Sequence, residues 1–168
     1  AAHSKGVKVH AHLYKVPAME KAIEAGVDVL QHVGSAKMPP YPAALLHKIA
    51  EDRIPVVQTV AHRIWVYPAS IENPSRLDNP ELEADIPADI YADMQRSFKN
   101  IRALSYFKDT PDEIRHSTIN ARQFIDANAY MGVGTDAASP LNFHTEAMWR
   151  EMSALVDSGM TPARVITA

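Results

Sequence analysis

Histidine and aspartate stand at the ends of short apolar segments, where they could bind a metal ion together. His10 and His12 close the segment VKVHAH, and a β-strand would place both on one face because its side-chain period is two. His32 closes VDVLQHV, and Asp136 follows the apolar segment in YMGVGTDA. Imidazole and carboxylate together suit zinc or a similar divalent ion. Such an ion would lower the pKa of a bound water and supply hydroxide near neutral pH.

Each of these residues also has an ordinary structural interpretation. A lone histidine at a strand end is at least as often a core residue as a ligand, and Asp136 suits a helix N-cap or a turn. Their shared position after successive apolar segments favours a common binding site over three unrelated residues. A polar side chain beside an apolar strand costs free energy unless it forms hydrogen bonds or binds a metal ion.

The segments between these residues have helical spacing. Val16, Met19 and Ile23 recur at helical intervals, so strand, helix and strand follow one another within about 30 residues, as in a βαβ unit with parallel strands. The alternation continues with a helix at 41–53, a strand at 54–61 and a final helix at 142–159. It predicts a parallel α/β fold, either an open sheet or half of a (β/α)8 barrel. In both, the carboxyl ends of the strands line the active site.

A long segment at about 62–110 interrupts the alternation. It is rich in proline, asparagine and aspartate and is too long for a simple connection, so we expect a functional insertion containing short helices. Arg63 and Tyr67, at its start, are candidates for substrate contact, as are His12 and His144. Packing or solvent exposure is an equally good interpretation of each of these four residues.

Composition excludes several classes of protein. The 168 residues are 46% hydrophobic and 22% charged, and their net charge of −3 argues against a nucleic-acid partner. No stretch approaches the roughly 20 apolar residues of a membrane span. Cysteine is absent, which excludes disulfides and thiolate metal sites. The sequence begins without methionine or a signal-peptide pattern and ends as a helix starts, so we expect a piece of a longer chain, with a cytoplasmic location weakly favoured.

Three motifs resemble the amidohydrolase superfamily: VKVHAH, AGVDVLQHVG and GVGTDAAS, in this order. The resemblance is to its imidazolonepropionase-like and Xaa-Pro dipeptidase-like branch and covers essentially the whole chain. It implies one domain over 1–168, the C-terminal half (strands 5–8) of a TIM-type (β/α)8 metal-dependent hydrolase barrel, with parallel strands and outer helices.

The same resemblance implies an activity and its residues. His10, His32 and Asp136 match the metal ligands of the family, and Asp136 also matches its general acid and base. The cofactor would be a divalent metal, zinc, with one or two ions in the complete enzyme. The reaction would be hydrolysis of an amide, cyclic amide or peptide C–N bond in a small-molecule or dipeptide-like substrate.

The departures from the family pattern leave two further hypotheses open. The His-x-His motif of the first strand and the bridging Lys or Glu of the fourth are not in this sequence, and Gln31 stands where the family usually has glutamate. One alternative is therefore a non-catalytic half-barrel that assembles as a homo-oligomer or with the missing N-terminal half. The other is a small open-sheet protein with a chance cluster of histidines.

Overall fold

The computed structural model describes residues 1–13, 15–34 and 40–168, and within them four short strands form one sheet. The strands are β1 (His10–His12), β2 (Val29–Gln31), β3 (Val56–Gln58) and β4 (Met131–Val133). They lie side by side in chain order, and each neighbouring pair is parallel. The predicted parallel α/β architecture is therefore confirmed, with helices between successive strands.

Helices follow each strand and close the chain. In order they are α1 (Val16–Glu24), α2 (Ala43–Glu51), α3 (Tyr67–Glu72), α4 (Pro80–Asp85), α5 (Ala88–Phe98), α6 (Thr110–Asp126), α7 (His144–Asp157) and α8 (Pro162–Ile166). Proline occupies the first turn of several of them, for example Pro17 in α1 and Pro111 in α6. Its missing N–H costs nothing there, and its fixed φ suits the first turn of a helix.

The segment between β3 and α6 is built from short helical pieces. A π-helical turn (His62–Val66) leads into α3, and 3₁₀ turns lie at Pro74–Leu77, Ile101–Ala103 and Ser105–Phe107. Its apolar side chains form a hydrophobic cluster of their own, which also contains Leu141 and Phe143. The segment therefore packs against the loop between β4 and α7, and this loop carries Asp136.

The two faces of the sheet differ in burial. Leu30, Val56 and Met131 point to one face, which we call the helix face, where the main core covers them almost completely. The strand register places His10, His12, Gln31 and Val57 on the other face, which we call the histidine face. These four side chains are partly or fully exposed. The helices thus cover one face and leave the histidine residues accessible.

Gly134, just after β4, lies too close to β3 for any side chain. A Cβ atom on Gly134 would overlap Cγ1 of Val57, whereas one on Gly132 would lie 3.5 Å from Cγ2 of Val57, an ordinary contact. We expect Gly134→Ala to lower the free energy of unfolding by about 1–3 kcal/mol, as overpacking does. Urea denaturation checks this, with Gly132→Ala as the matched control that should change it by less than about 1 kcal/mol. Equal effects of the two substitutions would contradict the close approach.

Candidate active site

His32 and Asp136 meet at the carboxyl edge of the sheet. His32 directly follows β2, Asp136 follows β4, and Nε2 of His32 lies 3.9 Å from Oδ1 of Asp136. Both have left-handed backbone conformations, with φ of 61° and 50°. Residues other than glycine rarely adopt this conformation, and where they do, the surrounding structure holds them, often at an active site. The prediction that these two side chains share the carboxyl edge agrees with this geometry.

Thr59 fixes the orientation of the His32 ring. Its hydroxyl lies 2.7 Å from Nδ1 of His32, which leaves Nε2 on the side of Asp136. Burial lowers the pKa of His32; the charge of Asp136 opposes this effect and that of His12 adds to it. The neutral imidazole is thus favoured near pH 7, and this is the form that binds a metal ion or accepts a proton.

The two histidines of β1 have different neighbours. The ring of His12 packs edge-on against that of His32, with 4.8 Å between the ring centroids. His10 instead accepts a hydrogen bond at Nδ1 from the side-chain amide of Gln31, over 3.0 Å. The structure therefore brings His12 into contact with His32 and holds His10 against β2. Gln31, where the family pattern has glutamate, is the residue that contacts His10.

The side chains at this edge have donor atoms that suit a divalent ion, but they are fewer than a catalytic zinc site needs. His32 Nε2 and Asp136 Oδ1 are an imidazole and a carboxylate, and the contact of Thr59 with Nδ1 resembles the outer hydrogen bond of a metal-binding histidine. Residues 1–13, 15–34 and 40–168 contain no group of three histidine, cysteine or acidic side chains arranged to hold a metal ion. Catalytic zinc sites use three protein ligands. The pair fits a metal site that needs at least one more ligand.

The residues predicted to contact substrate lie in varied surroundings. Arg63 forms a buried ion pair with Glu113 and also contacts the ring of His62. Tyr67 packs against the ring of Phe107, with 5.2 Å between centroids. His144 is the exposed first residue of α7. A role in substrate binding stays a prediction for all of them, and Arg63 and Tyr67 have structural contacts that also explain them.

Glu151, on α7, supports the segment next to the site, and the sequence patterns did not predict this. Its side chain is 1% exposed, and its two carboxylate oxygens accept the backbone N–H groups of Val60 and Ala61 over 2.8 and 2.7 Å. These N–H groups therefore leave the sheet, which is why β3 ends at Gln58 instead of continuing to residue 61 as predicted. The available signal was a charged residue between Ala147 and Leu155 on the apolar stripe of α7.

The comparisons with known proteins identify the fold. No family model matches the sequence, and no curated protein matches it. The structure resembles that of bottromycin amidohydrolase, at 21% identity and a TM-score of 0.68 over 99% of this chain and 40% of that one. It also resembles a Xaa-Pro dipeptidase with methionine bound in its active site, at 17% identity and a TM-score of 0.62 over 99% of this chain and 33% of that one.

A third solved structure, of an amidohydrolase, matches at 20% identity and a TM-score of 0.60 over 99% of this chain and 32% of that one. The chain thus spans between a third and two fifths of the length of these proteins. In the part of the chain that the structure describes, no helix is long and apolar enough to cross a membrane. The fold of this chain is therefore that of a segment of these larger structures.

Proposed function

We propose that this chain supplies the C-terminal half of the active site of a metal-dependent hydrolase that cleaves amide, cyclic amide or peptide C–N bonds. The observation that carries the proposal is the approach of His32 to Asp136, with Nδ1 of His32 held by Thr59. The half-barrel fold shared with amidohydrolases and a dipeptidase supports it. The substrate would be a small molecule or a dipeptide-like compound.

The proposed roles follow from the donor atoms. His32 and Asp136, with His10 or His12 from β1, would hold a divalent ion, zinc, and the remaining ligands would come from the N-terminal half of a complete barrel. When bound, the ion would act as a Lewis acid that lowers the pKa of a water. The Asp136 carboxylate would orient this water, accept its proton and pass the proton to the leaving nitrogen.

Metal-dependent stabilisation tests this proposal directly on the chain. A ligand that binds only the folded state adds about 2.7 kcal/mol to the free energy of unfolding at 100 times its dissociation constant. We expect Zn²⁺ to raise the unfolding midpoint of the wild type, and His32→Ala to remove most of this effect. His47→Ala, at an exposed position on α2, is the control and should respond as the wild type does. Equal stabilisation of wild type and His32→Ala by zinc would contradict the assignment.

The same measurement distinguishes which histidine of β1 contributes to zinc binding. The resemblance to the family assigns the ligand role to His10, whereas the ring contact with His32 favours His12. The substitution that reduces the zinc effect as much as His32→Ala identifies the ligand. If neither His10→Ala nor His12→Ala reduces it, β1 supplies no ligand.

A second candidate function is a half-barrel that acts through assembly. β1 and β4 are the edge strands of the sheet, and the histidine face is exposed beside a partly buried Val57. Exposed parallel edges favour pairing with another chain. Light scattering tests this candidate: a dimer, or a complex with an N-terminal half-barrel, would support it, and a stable monomer that binds neither would count against it.

A further inference from the structure

One short segment after β3 contacts the surroundings of both candidate ligands. Thr59 binds Nδ1 of His32, and three residues later His62 reaches the loop that carries Asp136. Glu151 anchors the segment between them by accepting the N–H groups of Val60 and Ala61. The distance between His32 and Asp136 therefore depends on contacts made by residues 59–62.

We propose that His62 is a positioning residue, which holds the loop of Asp136 against the end of β3 through a hydrogen bond from its Nε2–H to the carbonyl oxygen of Pro140. The two atoms lie 3.0 Å apart, and the His62 side chain is 3% exposed. The meaning of this contact for catalysis rests on the proposed function, whereas its effect on the loop does not.

The hydrogen-bond partners define the protonation state of His62. The carbonyl of Pro140 can only accept, so Nε2 carries the proton. Nη1 of Arg63 can only donate, and it lies 3.1 Å from Nδ1, so Nδ1 carries no proton and accepts this hydrogen bond. The hydroxyl of Ser139 is a further neighbour of Nδ1 at 3.2 Å. These contacts require the neutral ring, and burial together with the charge of Arg63 lowers the pKa of His62 to about 4.

The loop itself needs an external support. Asp136, Ala138 and Leu141 all have left-handed backbones, with φ of 50°, 73° and 65°. Each such residue is disfavoured and persists only where its surroundings fix it. Hydrogen bonds within the loop supply part of this support. In one of them the Ser139 hydroxyl donates to the Asp136 carbonyl over 2.7 Å. His62 adds a contact from a different element, 78 residues away in sequence, and so ties the loop to the π-helical turn that follows β3.

Hydrogen exchange of the loop tests the proposal without any enzymatic assay. His62→Leu removes the donor, whereas His62→Gln keeps an N–H donor at a similar distance from the backbone. We expect His62→Leu to raise the exchange rates of the Ala138, Ser139 and Asn142 amides about tenfold or more, since these three amides close the loop. His62→Gln should stay within about threefold of the wild type, and so should His47→Leu at an exposed position.

Two results would overturn the positioning role. One is unchanged loop exchange in a folded His62→Leu variant. The other is an equal rise in the leucine and glutamine variants, which would show that packing of the ring matters and not its donor. Should His62→Leu fail to fold, nitrogen NMR of the wild-type ring decides: a neutral Nε2–H tautomer at pH 7 is expected, and an Nδ1–H tautomer or a charged ring contradicts the proposal.

Activity separates this inference from the proposed function. In the complete enzyme, His62→Leu should lower kcat about tenfold or more and His62→Gln should restore most of it, because only the loop geometry changes. If the two variants exchange as expected but the complete protein hydrolyses no amide or peptide substrate, the positioning role stands and the proposed function is wrong. Loss of kcat in His62→Leu without faster loop exchange would remove the positioning role alone.

Discussion

Asp136→Asn is expected to reduce hydrolysis by the complete enzyme at least about a thousandfold, which is within the range that general acid–base catalysis contributes. Asparagine keeps the size of the side chain and an oxygen near Nε2 of His32, but it cannot accept the proton of the attacking water. At the proposed site it would also weaken metal binding, because a neutral amide replaces a charged carboxylate. The measurement is kcat/KM on an amide or dipeptide-like compound that the wild-type enzyme hydrolyses.

The matched control is Asp157→Asn, at the exposed end of α7, which should leave kcat/KM within about twofold. His32→Ala is expected to abolish hydrolysis as well, because it removes the partner of Asp136. The resemblance to the family predicts the same outcome for His10→Ala. The ring contact of His12 with His32 makes His12→Ala a fourth variant to compare. Full activity of Asp136→Asn would remove the assigned role of this residue, whatever the histidine variants do.

Glu151 is expected to make the free energy of unfolding fall as the pH rises toward 7. Burial raises the pKa of its carboxyl from 4.5 to about 7, although the two backbone N–H bonds oppose this. Between these pH values the folded state keeps a proton that the unfolded state has lost, so folding is favoured at low pH and the advantage disappears as the pH rises. A shift of this size corresponds to about 3 kcal/mol.

Glu151→Gln removes this titration and should remove the fall in the free energy of unfolding that it causes as the pH rises. The glutamine amide cannot accept both N–H groups, so the variant should also be less stable than the wild type by about 1–3 kcal/mol at pH 4.5. Urea denaturation of both proteins at several values from pH 4.5 to 7.5 gives the difference in their free energies of unfolding. We expect it to shrink by about 3 kcal/mol over this range. Glu20→Gln, at an exposed position on α1, is the control. If the difference in free energy of unfolding between the wild type and Glu151→Gln does not change with pH, the prediction is wrong.

His62 has a pH dependence of the opposite sign. Its pKa is lowered from 6.5 to about 4, so between these values the unfolded state binds a proton that the folded state does not. Its contribution therefore rises with pH from about 4 to 6.5 and is lost on acidification. The two slopes oppose each other in the wild type. The free energy of unfolding of Glu151→Gln should consequently rise more steeply with pH than that of the wild type.

The sequence predicted the architecture and the edge of the sheet that carries the candidate site. Alternating apolar segments and helical spacing are local patterns, and parallel strands end at the same edge, so the placement of His32 and Asp136 at one edge of the sheet follows from the parallel arrangement. The extent of the strands was overestimated for β3, because apolar residues such as Val60 satisfy the pattern of a strand while their N–H groups bind Glu151. The resemblance of the three motifs to amidohydrolases agrees with the fold that the structural comparisons identified.

The sequence by itself determined the type of fold and which polar residues end the strands, because both depend on contacts between near neighbours and on the period of a strand or helix. Only the tertiary structure decided that His12 and not His10 packs against His32, that Arg63 pairs with Glu113, and that His62 reaches the loop of Asp136. These contacts join residues 20, 50 and 78 positions apart. Their geometry depends on how helices pack on the sheet and on left-handed backbone turns at His32 and Asp136, which no local pattern specifies.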